Sequence, residues 1–116
     1  MPFLKKPVQL QWTLHAQAKM NHYRLSPARV RHVLHSPKRV EEGVAPKTVA
    51  MMQPASMKTA TSWSQEIWVM VQDVADARKV ISAWRYPGVT KPRDAAFLKK
   101  EYGEFLADDG ADAADK

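Results

Sequence analysis

The residues best suited to chemistry in this chain are its histidines, and all of them lie in one basic segment. The segment, residues 15–39, reads HAQAKMNHYRLSPARVRHVLHSPKR and holds six Lys or Arg residues but no carboxylate. Imidazole transfers protons near neutral pH and binds metals, and cations attract phosphate. Four interpretations are therefore open: a metal site, an acid–base centre, a nucleic-acid surface, or the solvated side of two helices. The histidines are His15, His22, His32 and His35.

The spacing of the histidines gives little support to a metal site. His15 and His22 are seven residues apart and His32 and His35 three apart, so each pair can face one side of a helix. A metal site usually needs a third ligand, and the chain has no cysteine and no carboxylate near these pairs in sequence. Lys19 lies between the first two, where its charge opposes a divalent ion. We predict no metal ion and no cofactor.

Metal-independent cleavage of RNA is the second interpretation, and it needs an acid, a base and cations that stabilise the phosphorane. His15, at the start of the first helix, has the side chain type suited to proton transfer. Glu41 or Glu42 can supply the second proton-transfer group, and we favour Glu41. Arg39 and Arg85 can hold the phosphate through paired guanidinium N–H groups. No spacing forces these groups together, so the alternative is that Glu41 forms an ordinary surface ion pair. The predicted catalytic set is His15, Glu41, Arg39 and Arg85.

Nucleic-acid binding without chemistry is the third interpretation. The cations of the two helices can form one continuous face, which lacks regularly spaced exposed aromatic residues and therefore suits contact with the phosphate backbone. The alternative is a solvated face without a ligand, and a helix-turn-helix is less favoured because the helices are short. The predicted nucleic-acid-binding residues are Lys19, Arg24, Arg29, Arg31, His32 and Lys38.

Length and composition restrict the class of protein. The chain has 116 residues, enough for one compact domain, and no apolar run approaches the roughly 20 residues of a membrane span. Without cysteine it has no disulfide. Its first residues lack the apolar region of a secretory signal, so we expect a cytoplasmic protein without a membrane partner.

Charge is distributed unevenly along the chain. Six carboxylates and one lysine after residue 100 give that end −5, which leaves +11 on residues 1–100 and a net charge of +6. A field of that sign attracts polyanions whatever the fold. One hypothesis is that the acidic end folds back over the basic face as a shield; the alternative is an unattached solubilising tail.

The hydrophobic pattern predicts an α+β domain. Alternation in 8–14 predicts a strand and Thr13 an N-cap, and Ser26 with Pro27 predicts the start of a second helix. That helix should end at HSPKR, because a residue before proline disfavours helical backbone. We expect two N-terminal helices packed on one face of a 4–5 stranded antiparallel sheet, in a single domain of residues 1–90. A C-terminal helix (91–106) and a disordered acidic tail (107–116) follow. The expected strands after the helices are 38–43, 47–53, 65–74 and 77–88, with 57–63 as a weaker candidate. We expect 65–74 in the centre because it is apolar on both faces.

These elements resemble an uncharacterised family of small proteins from bacteria and candidate bacterial phyla. The residues that carry the resemblance are WTLHAQAKMNHYRLSPARVRHVLHSPKRVEEGVAPKTVAMMQ, then EIWVM and VISAWRYPG. More distantly, the element order is similar to that of toxins of the RelE, ParE and BrnT type, many of which are metal-independent ribonucleases. This similarity implies an RNA-binding protein of RelE/BrnT-like fold, and many of the similar toxins would add metal-independent endoribonuclease activity to that expectation. The alternative is a binding module that engages nucleic acid or an acidic antitoxin-like protein.

Overall fold

A computed structural model describes residues 9–43, 45–91 and 96–110 of the chain. It contains three α-helices and five strands, and the last helix continues as a π-helical turn, Leu106–Gly110. Helical backbone thus extends four residues into the predicted tail; residues 111–116 lie outside the described residues. The elements are β1 Gln9–Trp12, α1 Leu14–Tyr23, α2 Pro27–His35, β2 Arg39–Glu42, β3 Thr48–Pro54, β4 Gln65–Val74, β5 Ala77–Pro87 and α3 Ala96–Phe105.

The five strands form one mixed sheet in the order β1-β5-β4-β3-β2. Strands β2 to β5 pair antiparallel, but β1 pairs parallel with β5, so the prediction of a purely antiparallel sheet is wrong. Two helices and three strands separate β1 from β5, and a connection of that length allows parallel pairing. The predicted strand 57–63 is also wrong, because only one isolated bridge joins Met57 to Trp63. The central position of β4 is confirmed.

Helices cover both faces of this sheet, which corrects the predicted placement. Successive residues of a strand point to opposite faces, and both faces of β4 are apolar. One face packs against α1 and α2 through residues such as Ala16, Val30 and Val69. The other packs against α3, where Leu98 and Phe105 join Trp68. The C-terminal helix therefore lies across the sheet from α2.

Helix α1 covers the part of β5 that β1 leaves without a strand. Strand β1 pairs only with Ala77 to Val80 of β5. Thr13, the next residue, accepts a bond from the Ala16 N–H as N-cap and donates its hydroxyl to the Val80 and Ile81 carbonyls, at 3.0 and 3.1 Å. At the far end of α1 the Tyr23 carbonyl accepts a bond from Arg85 Nε, at 2.9 Å. The helix is thus tied to β5 at both ends.

Helix α2 begins and ends where the sequence predicts. The Ser26 side chain accepts a bond from the Arg29 N–H, Pro27 occupies the first turn, and Ser36, which precedes a proline, ends the helix. Val30 and Val33 are buried against the sheet. The remaining sides of the helix carry its cationic residues, so the packing of two valines decides which way those residues face.

Candidate functional site

The exposed side of α2 concentrates basic side chains between two open grooves. One groove separates α2 from the chain after β3, and the other separates α2 from β1. His32 lines both grooves. We call this surface the α2 face and define it by Arg29, Arg31, His32, His35, Lys38 and Arg85.

The first groove, of about 710 Å³, is organised by one buried glutamine. The Gln53 Oε1 atom accepts a bond from Arg29 NH1 at 2.5 Å and lies 2.9 Å from His32 Nδ1. Its amide donates to the Ser36 carbonyl at 2.7 Å and to the His32 carbonyl at 3.2 Å. A second guanidinium nitrogen of Arg29 donates to the Pro54 carbonyl at 3.2 Å. Gln53 thus holds the side chains of Arg29 and His32 at the wall of the groove, and its amide also donates to two carbonyls at the end of α2.

The second groove, of about 850 Å³, is lined by Arg31, His35 and Arg78 together with polar and apolar residues of β1. The Arg31 guanidinium lies 5.4 Å from the centre of the Trp12 ring. Arg78 belongs to an ion pair, since its Nε is 2.8 Å from Asp73 Oδ1. The charge that this groove presents without a carboxylate partner therefore comes from α2.

Arg85 joins the α2 face from the sheet. It is paired in register with Ile67, whose side chain belongs to the core beneath α1 and α2. Besides its bond to the Tyr23 carbonyl, Arg85 NH1 donates to Gln65 Oε1 at 3.3 Å. The pKa of Arg29 lies below its ordinary value because burial disfavours the charged guanidinium and because the charge of Arg85 repels it.

The cations of the α2 face have only neutral partners within the described residues. None of Arg29, Arg31, Lys38 and Arg85 forms an ion pair there, and neither does the exposed Arg24 at the end of α1. Their partners are carbonyl and amide oxygens, the His32 imidazole nitrogen or aromatic rings; Lys38 Nζ, for example, lies 5.3 Å from the Trp63 ring centre. The positive charge of this surface is therefore not compensated in the described part of the chain.

In contrast, two basic side chains of α1, Lys19 and His15, contact carboxylates. Lys19 Nζ lies 3.0 Å from Glu101 Oε2 and 3.7 Å from Glu104 Oε1, both on α3. Burial opposes the charged ammonium, but the hydrogen bond and the charge of Glu101 raise the pKa of Lys19 above its ordinary 10.5. His15 is only 4% exposed; its Nδ1 contacts Asp108 and its Nε2 lies 3.8 Å from Glu101 Oε1. Lys19, a predicted nucleic-acid-binding residue, is thus paired with carboxylates of α3.

The same cluster contains a group with metal-ligand geometry. Ligand atoms of His15, Glu101 and Glu104 all lie within 4.8 Å of one another. The Lys19 ammonium already lies within 4 Å of both carboxylates, and the Ser82 hydroxyl donates to Glu101 at 2.7 Å. A lysine cation thus balances the carboxylates in this structure, and a divalent ion would have to displace it.

The predicted catalytic residues lie in three separate places. Arg39 and Glu41 form an ion pair of 2.9 Å on β2, and Arg39 NH1 also donates to the Thr90 carbonyl and hydroxyl at 2.7 and 2.8 Å. Strand β2 is three strands away from β5, which is about 14 Å at ordinary strand spacing. His15 lies on α1 beside β5, and Arg85 lies on the α2 face. The structure does not bring the four side chains together.

Three residues that shape these surfaces were not found by the sequence reasoning. Glu101 and Asp108 recur at helical spacing near the acidic end of the chain, and that pattern is a signal for an acidic helix face. Nothing in the sequence marks Gln53, which becomes important only because β3 ends beside α2. Sequence spacing finds faces of single elements; it does not find pairs across the fold.

Comparison of the chain with protein-family models, with curated proteins and with solved structures finds no match. Within the described residues no helix is long and apolar enough to cross a membrane. The interpretation of function therefore depends on the chemistry of the surfaces alone.

Proposed function

We propose that the chain is an RNA-binding protein that contacts the phosphate backbone through the α2 face. The observation that carries the proposal is that the arginines and lysine of this surface have only neutral partners in the described part of the chain. A surface of several uncompensated cations costs electrostatic repulsion, and a polyanion relieves it. The two grooves beside α2 give a strand room to contact both sides of the helix.

The nature of the side chains favours contact with backbone rather than with bases. The aromatic rings nearest this surface, Trp12 and Trp63, lie close to Arg31 and Lys38 and are half-buried. A base-stacking platform needs an exposed ring face. Contacts from guanidinium and ammonium groups to phosphate position a strand and carry little sequence information. We therefore expect binding with weak sequence preference.

The proposal is restricted to binding. His15 is buried and contacts Asp108, and Arg39 is engaged by Glu41 and Thr90. Those contacts would have to break before the predicted groups could reach one substrate. Incubation with total RNA in the presence of a chelator should therefore leave the RNA intact. Cleavage that resists the chelator and is lost in His15→Ala or Arg85→Ala would restore the ribonuclease interpretation.

The salt dependence of RNA binding tests the proposal directly. Affinity for a labelled single-stranded RNA should fall linearly with salt on logarithmic axes, with a slope of about −0.7 for each phosphate contact. The double variant Arg31→Gln/Lys38→Gln should make that slope less negative by about 1.4, because two phosphate contacts are lost. Both side chains are exposed, so the fold should be unaffected.

A matched control removes two cations from elsewhere. Lys99→Gln/Lys100→Gln changes the net charge equally on exposed positions of α3, on the other side of the sheet. It should leave the slope nearly unchanged. Equal effects of the two double variants would show that only net charge matters and would refute an interface on α2. Absence of RNA binding at low salt would refute the proposed function and favour an acidic protein partner.

A further inference from the structure

Arg29 and Arg85 approach the same corner of the fold from different elements. Arg29 reaches from the first turn of α2 to the Pro54 carbonyl, at the end of β3. Arg85 reaches from β5 to the side chain of Gln65, the first residue of β4. The two anchoring points are neighbours, because the Ala55 N–H donates to the Gln65 carbonyl at 2.9 Å. The two guanidinium groups therefore lie at one end of the sheet, close enough that the charge of Arg85 acts on Arg29.

The start of α2 adds to the positive potential of this corner. The N-terminus of a helix carries a partial positive charge of about half an elementary charge and favours an anionic side chain in the first turn. The first turn of α2 contains no acidic residue, and its third residue is Arg29. Two guanidinium groups and a helix N-terminus thus share one corner, and no ion pair to either arginine is found in the described residues.

Both arginines keep hydrogen-bond donors beyond those used in the fold. A guanidinium has five N–H donors. Arg29 uses its two terminal nitrogens toward Gln53, His32 and Pro54, and its Nε forms no hydrogen bond to any of the described residues. Within the described part of the chain Arg85 donates from Nε and NH1, which leaves its NH2 group available there. Side chains held by neutral acceptors in this way are positioned in advance and still able to donate to an anion.

We propose that this corner is a phosphate subsite, in which Arg29 and Arg85 together hold one phosphate group of a bound RNA strand. The inference rests on the proposed function and adds to it one fixed point at which the strand is anchored. Phosphate is the anion that matches the arrangement, because its oxygens accept paired N–H donors from more than one guanidinium. The phosphate is an internal diester or a terminal monoester, and the experiment below separates these sources.

Inorganic phosphate is the first probe, titrated at constant ionic strength against chloride and followed through the NMR signals of the arginine Nε–H groups. The signals of Arg29 and Arg85 should shift together and saturate, while that of Arg31 follows only the general salt effect. In Arg29→Lys and Arg85→Lys the charge remains but the fork geometry is lost, and phosphate affinity should fall at least about fivefold. Arg31→Lys is the matched control and should not change it. Backbone NMR spectra establish that each variant folds. Because Arg29→Lys and Arg85→Lys each test the subsite, the result does not depend on the folding of one variant alone.

RNA oligonucleotides identify the source of the phosphate. One sequence is prepared with free hydroxyl ends, with a 5′-phosphate and with a 3′-phosphate. An affinity gain from one terminal phosphate that disappears in Arg85→Lys would identify a monoester end. Equal affinities that all fall in Arg85→Lys would identify an internal diester.

The outcomes also separate the subsite from the function. Salt-dependent RNA binding with uniform phosphate shifts on all arginines would overturn the subsite and leave the function standing. Saturable phosphate shifts on Arg29 and Arg85 without RNA binding would support the subsite and overturn the function. Phosphate and RNA affinities that are unchanged in both Arg29→Lys and Arg85→Lys would overturn the subsite.

Discussion

The two N-terminal helices both carry basic side chains, but the partners of those side chains differ. On α1, Lys19 and His15 are covered by α3 and its π-helical turn, where carboxylates lie within 4 Å of both. On α2, Arg29 and Arg31 have no carboxylate partner among the described residues and contact oxygens of Gln53 and Pro54, the His32 imidazole or the Trp12 ring. The first arrangement holds the C-terminal helix in place; the second leaves positive charge available to a ligand.

The comparison shows why a run of cations in sequence is not one functional surface. The stripe of α1 that holds His15 and Lys19 turns toward α3, while the corresponding residues of α2 turn toward solvent. The difference arises from residues more than 80 positions away, since the contacts of Lys19 and His15 are to Glu101 and Asp108. Charge compensation, rather than charge itself, distinguishes the cation that holds α3 from those that we propose to bind RNA.

The largest effect on stability should come from removing a carboxylate that pairs with a basic side chain of α1. Glu101→Ala leaves Lys19 partly buried without its nearest carboxylate and removes the acceptor of Ser82. Loss of one partner of such a pair costs about 3 kcal/mol in the free energy of unfolding. Urea denaturation followed by tryptophan fluorescence measures the loss. Arg31→Ala, on the uncompensated side, should cost less than about 1 kcal/mol. Equal costs for the two variants would contradict the distinction between the surfaces.

A smaller effect should follow from giving α2 a carboxylate of its own. Ala28→Glu places an acid in the exposed first turn of α2, one turn before Arg31. The acid favours the helix N-terminus and should stabilise the fold by about 0.5 kcal/mol. It should also weaken RNA binding about tenfold, which is about 1.4 kcal/mol. Ala28→Gln is the uncharged control. Unchanged affinity in Ala28→Glu would argue against RNA on this face.

The smallest effect concerns the pH dependence of stability. Because the pKa of Lys19 is raised in the folded state, its contribution is fully present below the ordinary 10.5 and is lost as pH rises through the folded pKa. Wild type should therefore lose stability relative to Lys19→Met in strongly alkaline solution, by less than about 1 kcal/mol. Urea midpoints of the two proteins across that range give the difference. Parallel curves would show that the Lys19 pairs with α3 contribute nothing.

The sequence predicts what local physical chemistry determines. The caps at Thr13 and Ser26, the end of α2 before a proline and the central position of β4 all follow from neighbouring residues, and the structure confirms them. The parallel pairing of β1 and the position of α3 depend on packing between distant segments, and no local pattern encodes them. The candidate site divides in the same way. Arg29, Arg31 and Lys38 are identifiable from charge alone, whereas their neutral partners, such as Gln53, are not.

The placement of α1 along β5 also bears on how this molecule avoids its own copies. Edge strands with free carbonyl and amide groups can pair with a second chain and lead to aggregation. Thr13 occupies the Val80 and Ile81 carbonyls, and the helix that follows stays beside β5 as far as Arg85. At the other edge, β2 is only four residues long, and three of its residues, Arg39, Glu41 and Glu42, are charged. Thus one edge of the sheet offers only the four-residue strand β1, beyond which α1 covers β5, and the other edge is the short, charged strand β2. Both arrangements discourage strand addition.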